Sequence, residues 1–277
     1  MRLAYALHID GGATILSCAA SVQPHMHLRF IFFFTIGAVL VSPVVFAQEQ
    51  NAPTLDELVA KNIEAKGGAD ALRALQSVRF NGKVIANEGQ LEFAYAQTKK
   101  RPGEVRTEFT LQGMTAVQAY DGKEGWRISP FQGRRNPEKM SADDAKPLIE
   151  DAEIDGPLVD WKAKESTLEF LGREDVDGTS AYKIKVVRKN GDVNFVYLDP
   201  DHFLEIRILT QRVRHGAQEE VETDVSDYEK IGGVFVPFSI EEGHKGDPDK
   251  QKTVIEKAEA NVPVDDAIFH FPGSASK

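Results

Sequence analysis

The run Tyr182-Lys183-Ile184-Lys185-Val186-Val187-Arg188-Lys189-Asn190-Gly191-Asp192-Val193-Asn194-Phe195-Val196-Tyr197 decides the fold class. Tyr182, Ile184 and Val186 alternate with Lys183 and Lys185, and Val193, Phe195 and Tyr197 alternate beyond Asn190-Gly191. Side chains on a strand point to opposite faces with a period of two, and an Asn-Gly pair tolerates the backbone of a tight turn. The run therefore predicts an antiparallel hairpin.

The same period spreads outward from that hairpin. Downstream, Asp199-Pro200-Asp201 turns the chain into Leu204, Ile206 and Ile208, and Val221, Thr223 and Val225 precede Gly232-Gly233. Val234, Val236, Phe238 and Ile240 then alternate without a miss, and Thr253 to Ala258 is a last strand. Upstream lie Leu168 and Phe170, and before them a first series built on Val78, Phe80, Val84, Leu91, Phe93, Tyr95, Val105, Phe109, Leu111, Val117, Trp126 and Ile128. About ten strands at hairpin spacing predict a mainly β (α+β) chain with one antiparallel sheet or barrel-like wrap.

Helical signals are few. Thr54-Leu55-Asp56-Glu57 reads as a capping box, Leu55, Leu58, Val59 and Ile63 follow at helical spacing, and Lys66-Gly67-Gly68 supplies the stop. A second short helix is expected from Ala69 to Leu75. Residues 141–164 break the alternation and predict one or two short amphipathic helices, with a helix start at Ser141 followed by Asp143 and Asp144, or, as the alternative, Pro147 dividing a loop from the helix.

At the other extreme of hydropathy, residues 30–47 carry no charge, follow Arg29 and end at Val45-Phe46-Ala47. This is the pattern of a cleaved signal peptide, read here as residues 26–47 starting at Met26. Residues 1–25 read as an over-extended start, and the only cysteine, Cys18, lies in them. The remaining residues 48–277 are expected to form a single exported domain without disulfides, stabilised by its core alone.

Of the 277 residues, 33 are Lys or Arg and 43 are Asp or Glu, a net charge of −10. Removing residues 1–47 deepens the acidic excess by one charge. An acidic chain lacks the basic stripe that nucleic-acid binding requires. The 42% apolar and 27% charged composition excludes a disordered tail and a collagen-like repeat.

Catalytic patterns are missing from residues 48–277. His202, His215, His244 and His270 stand too far apart in sequence for a helical zinc pair. Phosphate-binding glycine loops and the nucleophile elbow do not occur. Ser274-Ala275-Ser276-Lys277 matches a Ser-x-x-Lys pattern in letters only. Gly246-Asp247-Pro248-Asp249 lacks the alternating ligands of a calcium loop. The acidic pairs Asp143-Asp144 and Asp265-Asp266 read as solvated faces or turns. The expectation is a binding protein with no catalytic residue, no metal and no cofactor.

Several short pieces, in order, resemble the periplasmic lipoprotein carriers of the LolA/LolB type. They are Ala65-Lys66-Gly67-Gly68; Lys100-Arg101-Pro102 with Arg106 and Glu108; Tyr120-Asp121-Gly122 with Trp126 and Pro130; Gly232-Gly233 with Val236-Pro237-Phe238; and Asp265-Asp266-Ala267-Ile268-Phe269. The resemblance spans roughly residues 54–272. It implies an unclosed antiparallel half-barrel wrapped around a few short helices, with a hydrophobic cavity for lipid or lipoprotein acyl chains. It also implies a periplasmic, monomeric carrier. In that family an arginine four residues after the proline hydrogen-bonds a helical lid; the matching residue is Arg106, after Pro102.

Phe93, Tyr95, Trp126, Phe195, Val236 and Phe238 are the candidate cavity lining. One conflict stands inside this reading: alternation puts Arg106 opposite Val105, Phe109 and Leu111, so both sets share one cavity only if a bulge intervenes. The alternative function is an envelope sensor or scaffold of the same fold that binds a protein partner.

Overall fold

The computed structural model describes residues 52–273. The segment 26–47, Cys18 and Ser274–Lys277 lie outside the described residues.

The capping box forms as read. The Thr54 amide donates to Glu57 Oε2 at 2.8 Å and the Glu57 amide donates to Thr54 Oγ1 at 3.3 Å, opening helix α1 (Leu55–Ala65). Such a cap is worth about 1 kcal/mol. The helix stops where Gly67 adopts φ +118°; a Cβ there would lie 2.2 Å from the Gly233 carbonyl oxygen. Glycine is required for the left-handed backbone and for this approach, which lets the Phe235 amide donate to Lys66 O at 2.9 Å. Helix α2 (Ala69–Ala74) follows.

Thirteen strands then form one antiparallel sheet. The first six are β1 (Ser77–Ala86), β2 (Leu91–Lys100), β3 (Glu104–Leu111), β4 (Met114–Tyr120), β5 (Gly125–Ser129) and β6 (Arg134–Lys139). After helix α3 (Ala142–Asp151) come β7 (Thr167–Val176), β8 (Thr179–Val187), β9 (Val193–Leu198), β10 (Glu205–Arg214), β11 (Ala217–Ile231), β12 (Val234–His244) and β13 (Gln251–Ala260). The count exceeds the ten or so expected. Part of the excess is β6, whose Arg-Arg-Asn-Pro-Glu-Lys has no apolar alternation because it is an exposed edge, where proline is tolerated.

The strand order is β6-β5-β4-β3-β2-β1-β13-β12-β11-β10-β9-β8-β7. Two meanders are joined along β1 and β13, and the sheet does not close into a barrel. Its two edges, β6 and β7, are consecutive in sequence, so α3 and residues 152–166 must run from one edge of the curved sheet to the other. Pro147 sits inside α3 rather than dividing it from a loop.

Register assigns the faces. Val105, Thr107 and Phe109 on β3 share a face with Lys99, Gln97 and Tyr95 on β2, and with Val78, Phe80 and Val84 on β1. On this inner face Leu58 of α1 packs with Leu158, Tyr182, Ile184, Val186, Val196 and Leu198. Leu72 and Leu75 pack with Val84, Tyr95, Val234, Val236, Phe238 and Ile255. Leu148 and Ala152 pack on Val105. The outer face carries two smaller clusters, one around Val117, Ala119 and Trp126 and one around Val176, Tyr197 and Leu209.

The Asn190-Gly191 hairpin forms with its loop at residues 188–192: the Arg188 amide donates to Asp192 O at 2.8 Å and Gly191 adopts φ +87°. Its register pairs Val186 with Asn194 and Ile184 with Val196. Val196 and Leu198, not Val193, Phe195 and Tyr197, therefore continue the inner stripe of Tyr182, Ile184 and Val186.

Candidate ligand cavity

The helices do not fill the inner face. A cavity of about 450 Å³ remains under α3 and the segment after it, walled by strands of both meanders. One side is apolar, from Val78, Phe80, Val84, Phe109, Ile240 and Ile255. The side beneath α3 is polar.

That polar side holds the crossing segment from both walls. From β2, Lys99 Nζ and Gln97 Nε2 donate to Asp151 at 2.8 and 2.6 Å. From β8–β10, Arg212 Nη1 and Asn194 Nδ2 donate to Glu150 at 2.8 and 3.0 Å, and Arg188 Nη1 donates to Glu153 at 2.6 Å. Lys66 Nζ donates to Asp155 O and to Glu205 Oε1, each at 2.9 Å. Arg101 grips the Asp155 carboxylate with both terminal nitrogens and donates from Nε to Leu75 O at 2.8 Å and from Nη2 to Leu72 O at 2.9 Å. One guanidinium thus joins α2, β2 and the crossing segment, as its planar fork of donors allows. At the far end, His215 Nε2 lies 3.0 Å from Asp144 Oδ1, and its amide donates to Asp143 at 3.0 Å.

Glu242 lies on β12 at the cavity wall, crowded by protein atoms but with its side chain exposed to solvent. Desolvation pushes its carboxyl above the usual carboxylate value, nearby Asp151 adds to the effect, and the Thr223 hydroxyl and Arg212 oppose it. Tyr95 is buried at the cavity wall, and desolvation holds its phenol well above the ordinary tyrosine value, with Asp151 and Glu242 contributing. Among the described residues no group of three or more His, Cys, Asp or Glu side chains is placed to hold a metal ion.

No protein-family model and no curated protein sequence matches the chain. Solved structures do. A DUF1329 family protein from Desulfovibrio piger superposes with a TM-score of 0.56 at 14% identity, covering 79% of this chain and 98% of that one. A LolA superfamily protein from Nitrosomonas europaea gives 0.54 at 12%, over 79% and 98%. An outer membrane lipoprotein-sorting protein domain from Vibrio parahaemolyticus gives 0.51 at 12%, over 76% and 97%. The chain has the LolA-like fold.

Within this LolA-like half-barrel the six expected lining residues separate by face. Tyr95 and Val236 line the cavity. Phe93 and Phe238 belong to the adjoining inner cluster, Phe93 also meeting Phe131 edge-on at 5.6 Å. Trp126 and Phe195 lie on the outer face. Trp126 pairs with Ala119 and packs under Phe271, its Nε1 donating to Phe269 O at 2.7 Å. Phe195 pairs with Leu209, and Lys183 Nζ stands 4.8 Å from its ring centroid. Strand parity decides the face of each.

Arg106 is likewise on the outer face, because Val105 points inward against Leu148 and Ala152 and the β2–β3 and β3–β4 registers run without a bulge. Its Nη1 donates to Ile268 O at 3.0 Å, its Nε and Nη2 donate to Glu108, and its guanidinium stacks 5.4 Å from the Trp126 ring centroid. It anchors the C-terminal segment. The arginine that reaches the segment over the cavity is Arg101, on the other side of Pro102.

Sequence reading missed Glu242, Arg212, Lys99 and Arg188. For Glu242 a signal was present: it continues the phase of Val234, Val236, Phe238 and Ile240, so a charge falls on the core stripe. The partner of Lys99 and one of the two carboxylates on Arg212 come from α3, far away in sequence, and left no local pattern.

Proposed function

We propose that the protein is a carrier of the cell envelope, periplasmic after loss of its leader, that holds lipid or lipoprotein acyl chains in the half-barrel without covalent chemistry. The cavity carries this reading. Its roughly 450 Å³ falls within the range of small-molecule sites, and much of its wall is apolar. Each buried methylene contributes about 0.8 kcal/mol, so a partly inserted chain is retained without polar specificity. The segment over the cavity is pinned to both walls by ion pairs and hydrogen bonds alongside the apolar contact of Leu148 and Ala152 with Val105, and polar ties of this kind suit a cover that must release.

The comparisons support the same reading at the level of fold. The Vibrio parahaemolyticus domain is described as lipoprotein-sorting.

Native mass spectrometry of the gently purified full chain tests the proposal. Added mass in the range of acyl lipids, displaceable by a fluorescent fatty acid, is the expected result. A clean apo mass with no probe uptake overturns it, and a defined protein partner captured in place of lipid would move the function to the sensor class.

A further inference from the structure

Charge pairing on the cavity wall leaves one group over. Four cations line the cavity, and each is matched by a lining carboxylate: Lys66 with Glu205 at 2.9 Å, Lys99 with Asp151 at 2.8 Å, Arg188 with Glu153 at 2.6 Å and Arg212 with Glu150 at 2.8 Å. The fifth carboxylate, Glu242, has no cation within ion-pair distance among the described residues. It accepts a hydrogen bond from the Thr223 hydroxyl at 3.3 Å. Gln251 is its neighbour on β13, and Asp151, Glu150 and Arg212 are the charged groups that face it.

A second observation is independent of that cluster. Tyr95 is only 9% exposed and lines the same cavity, yet among the described residues its hydroxyl has no hydrogen-bond partner. A buried phenol normally finds a partner, because leaving one unpaired forfeits its hydration without return. Here the hydroxyl borders the open cavity, beside Phe80, Val84 and Phe109.

We propose that the cavity takes amphiphiles whose head is a cationic hydrogen-bond donor, a primary alkylammonium in its simplest form, with the head on the Glu242 carboxylate and the Tyr95 hydroxyl and the chain along the apolar wall. This rests on the carrier reading and names the class of its cargo. An ammonium offers three donors and no acceptor, which matches two acceptors that the fold leaves open. Anionic heads are disfavoured for the same reason: every lining cation is already committed to a carboxylate, so a fatty-acid or phosphate group would meet Glu242 and Asp151 with no countercharge.

The test is competitive displacement of a neutral fluorescent acyl probe from the full chain near neutral pH. The competitors are dodecylammonium, dodecanol and dodecanoate, each below its micelle concentration. Dodecylammonium is expected to bind about tenfold tighter than dodecanol, the scale of one charge-assisted hydrogen bond, and dodecanoate more weakly than either. Glu242→Gln should erase the ammonium preference while leaving the dodecanol affinity in place. Tyr95→Phe should lower ammonium affinity about threefold. Asp201→Asn, which removes an exposed acid outside the cavity wall, should leave the ratio unchanged.

Equal binding of ammonium and alcohol, tightest binding of dodecanoate, or equal loss in Asp201→Asn each overturns the head-group assignment while the carrier reading stands. Failure of all three to displace the probe, together with a clean apo mass, overturns the carrier reading itself.

Discussion

At Arg106 a single guanidinium serves the Ile268 carbonyl, the Glu108 carboxylate and the face of Trp126, and it does so on the outside of the sheet. Arg106→Ala should cost about 1–3 kcal/mol, the range for hydrogen bonds to charged groups. Hydrogen exchange should rise at residues 262–271, with exchange in α3 unchanged. If α3 is released instead, the assignment of Arg106 to the C-terminal segment is wrong. The same residue shows how sequence reading reached the right strand and missed its function. Alternation already opposed Arg106 to Val105, and the absence of a bulge turns that conflict into an answer. Trp126 and Phe195 failed for the complementary reason. Strands with apolar residues on both faces, such as Val193 to Leu198, give no clue to which set faces the cavity until the partner strand sets the register.

Helix α3 and residues 152–166 form the element on which cargo access turns. Asp155, with both Arg101 and Lys66 bound to it, is the central point of attachment. Asp155→Ala should lower stability by about 2–3 kcal/mol. It should also speed uptake of a fluorescent acyl probe, read by stopped flow; unchanged uptake would show that this segment does not limit access.

The N-terminal turn of α3 should respond to acid. The hydrogen bond from Lys146, then that from the His215 amide, holds the Asp143 carboxyl below its ordinary value of 3.8. At Asp144 partial burial pulls upward, but Ser141, His215 and Arg127 together keep it below 3.8. Carboxyls depressed in the folded state stabilise it above their unfolded value and lose that contribution as pH falls through 3.8 toward the folded value. Protection of α3 from hydrogen exchange, corrected for intrinsic rates, should hold from pH 7 to about 5 and fall below about 4. Loss already near pH 6 would show that these two carboxylates do not hold the turn.

Across the whole molecule the critical line is the seam of β1 and β13, which joins the two meanders. Gly82 stands at its register shift, and a Cβ there would lie 2.0 Å from the Val254 carbonyl oxygen and 2.9 Å from Ile255 Cα. Gly82→Ala should cost about 3 kcal/mol or more, since backbone lies on the other side and cannot yield as a side chain would. A melting temperature within a degree or two of the parent would show that the seam adapts. Alternation and turn chemistry are local, so the chain alone determined the antiparallel sheet, the capped α1, the break at residues 141–164 and the acidic character that disfavours nucleic acid. The cavity, the face of each aromatic residue, the swap of roles between Arg101 and Arg106 and the solitary Glu242 were decided only in three dimensions. Each depends on which distant strand or helix supplies the opposite wall, and pairing between residues far apart in sequence leaves no periodic trace in either of them.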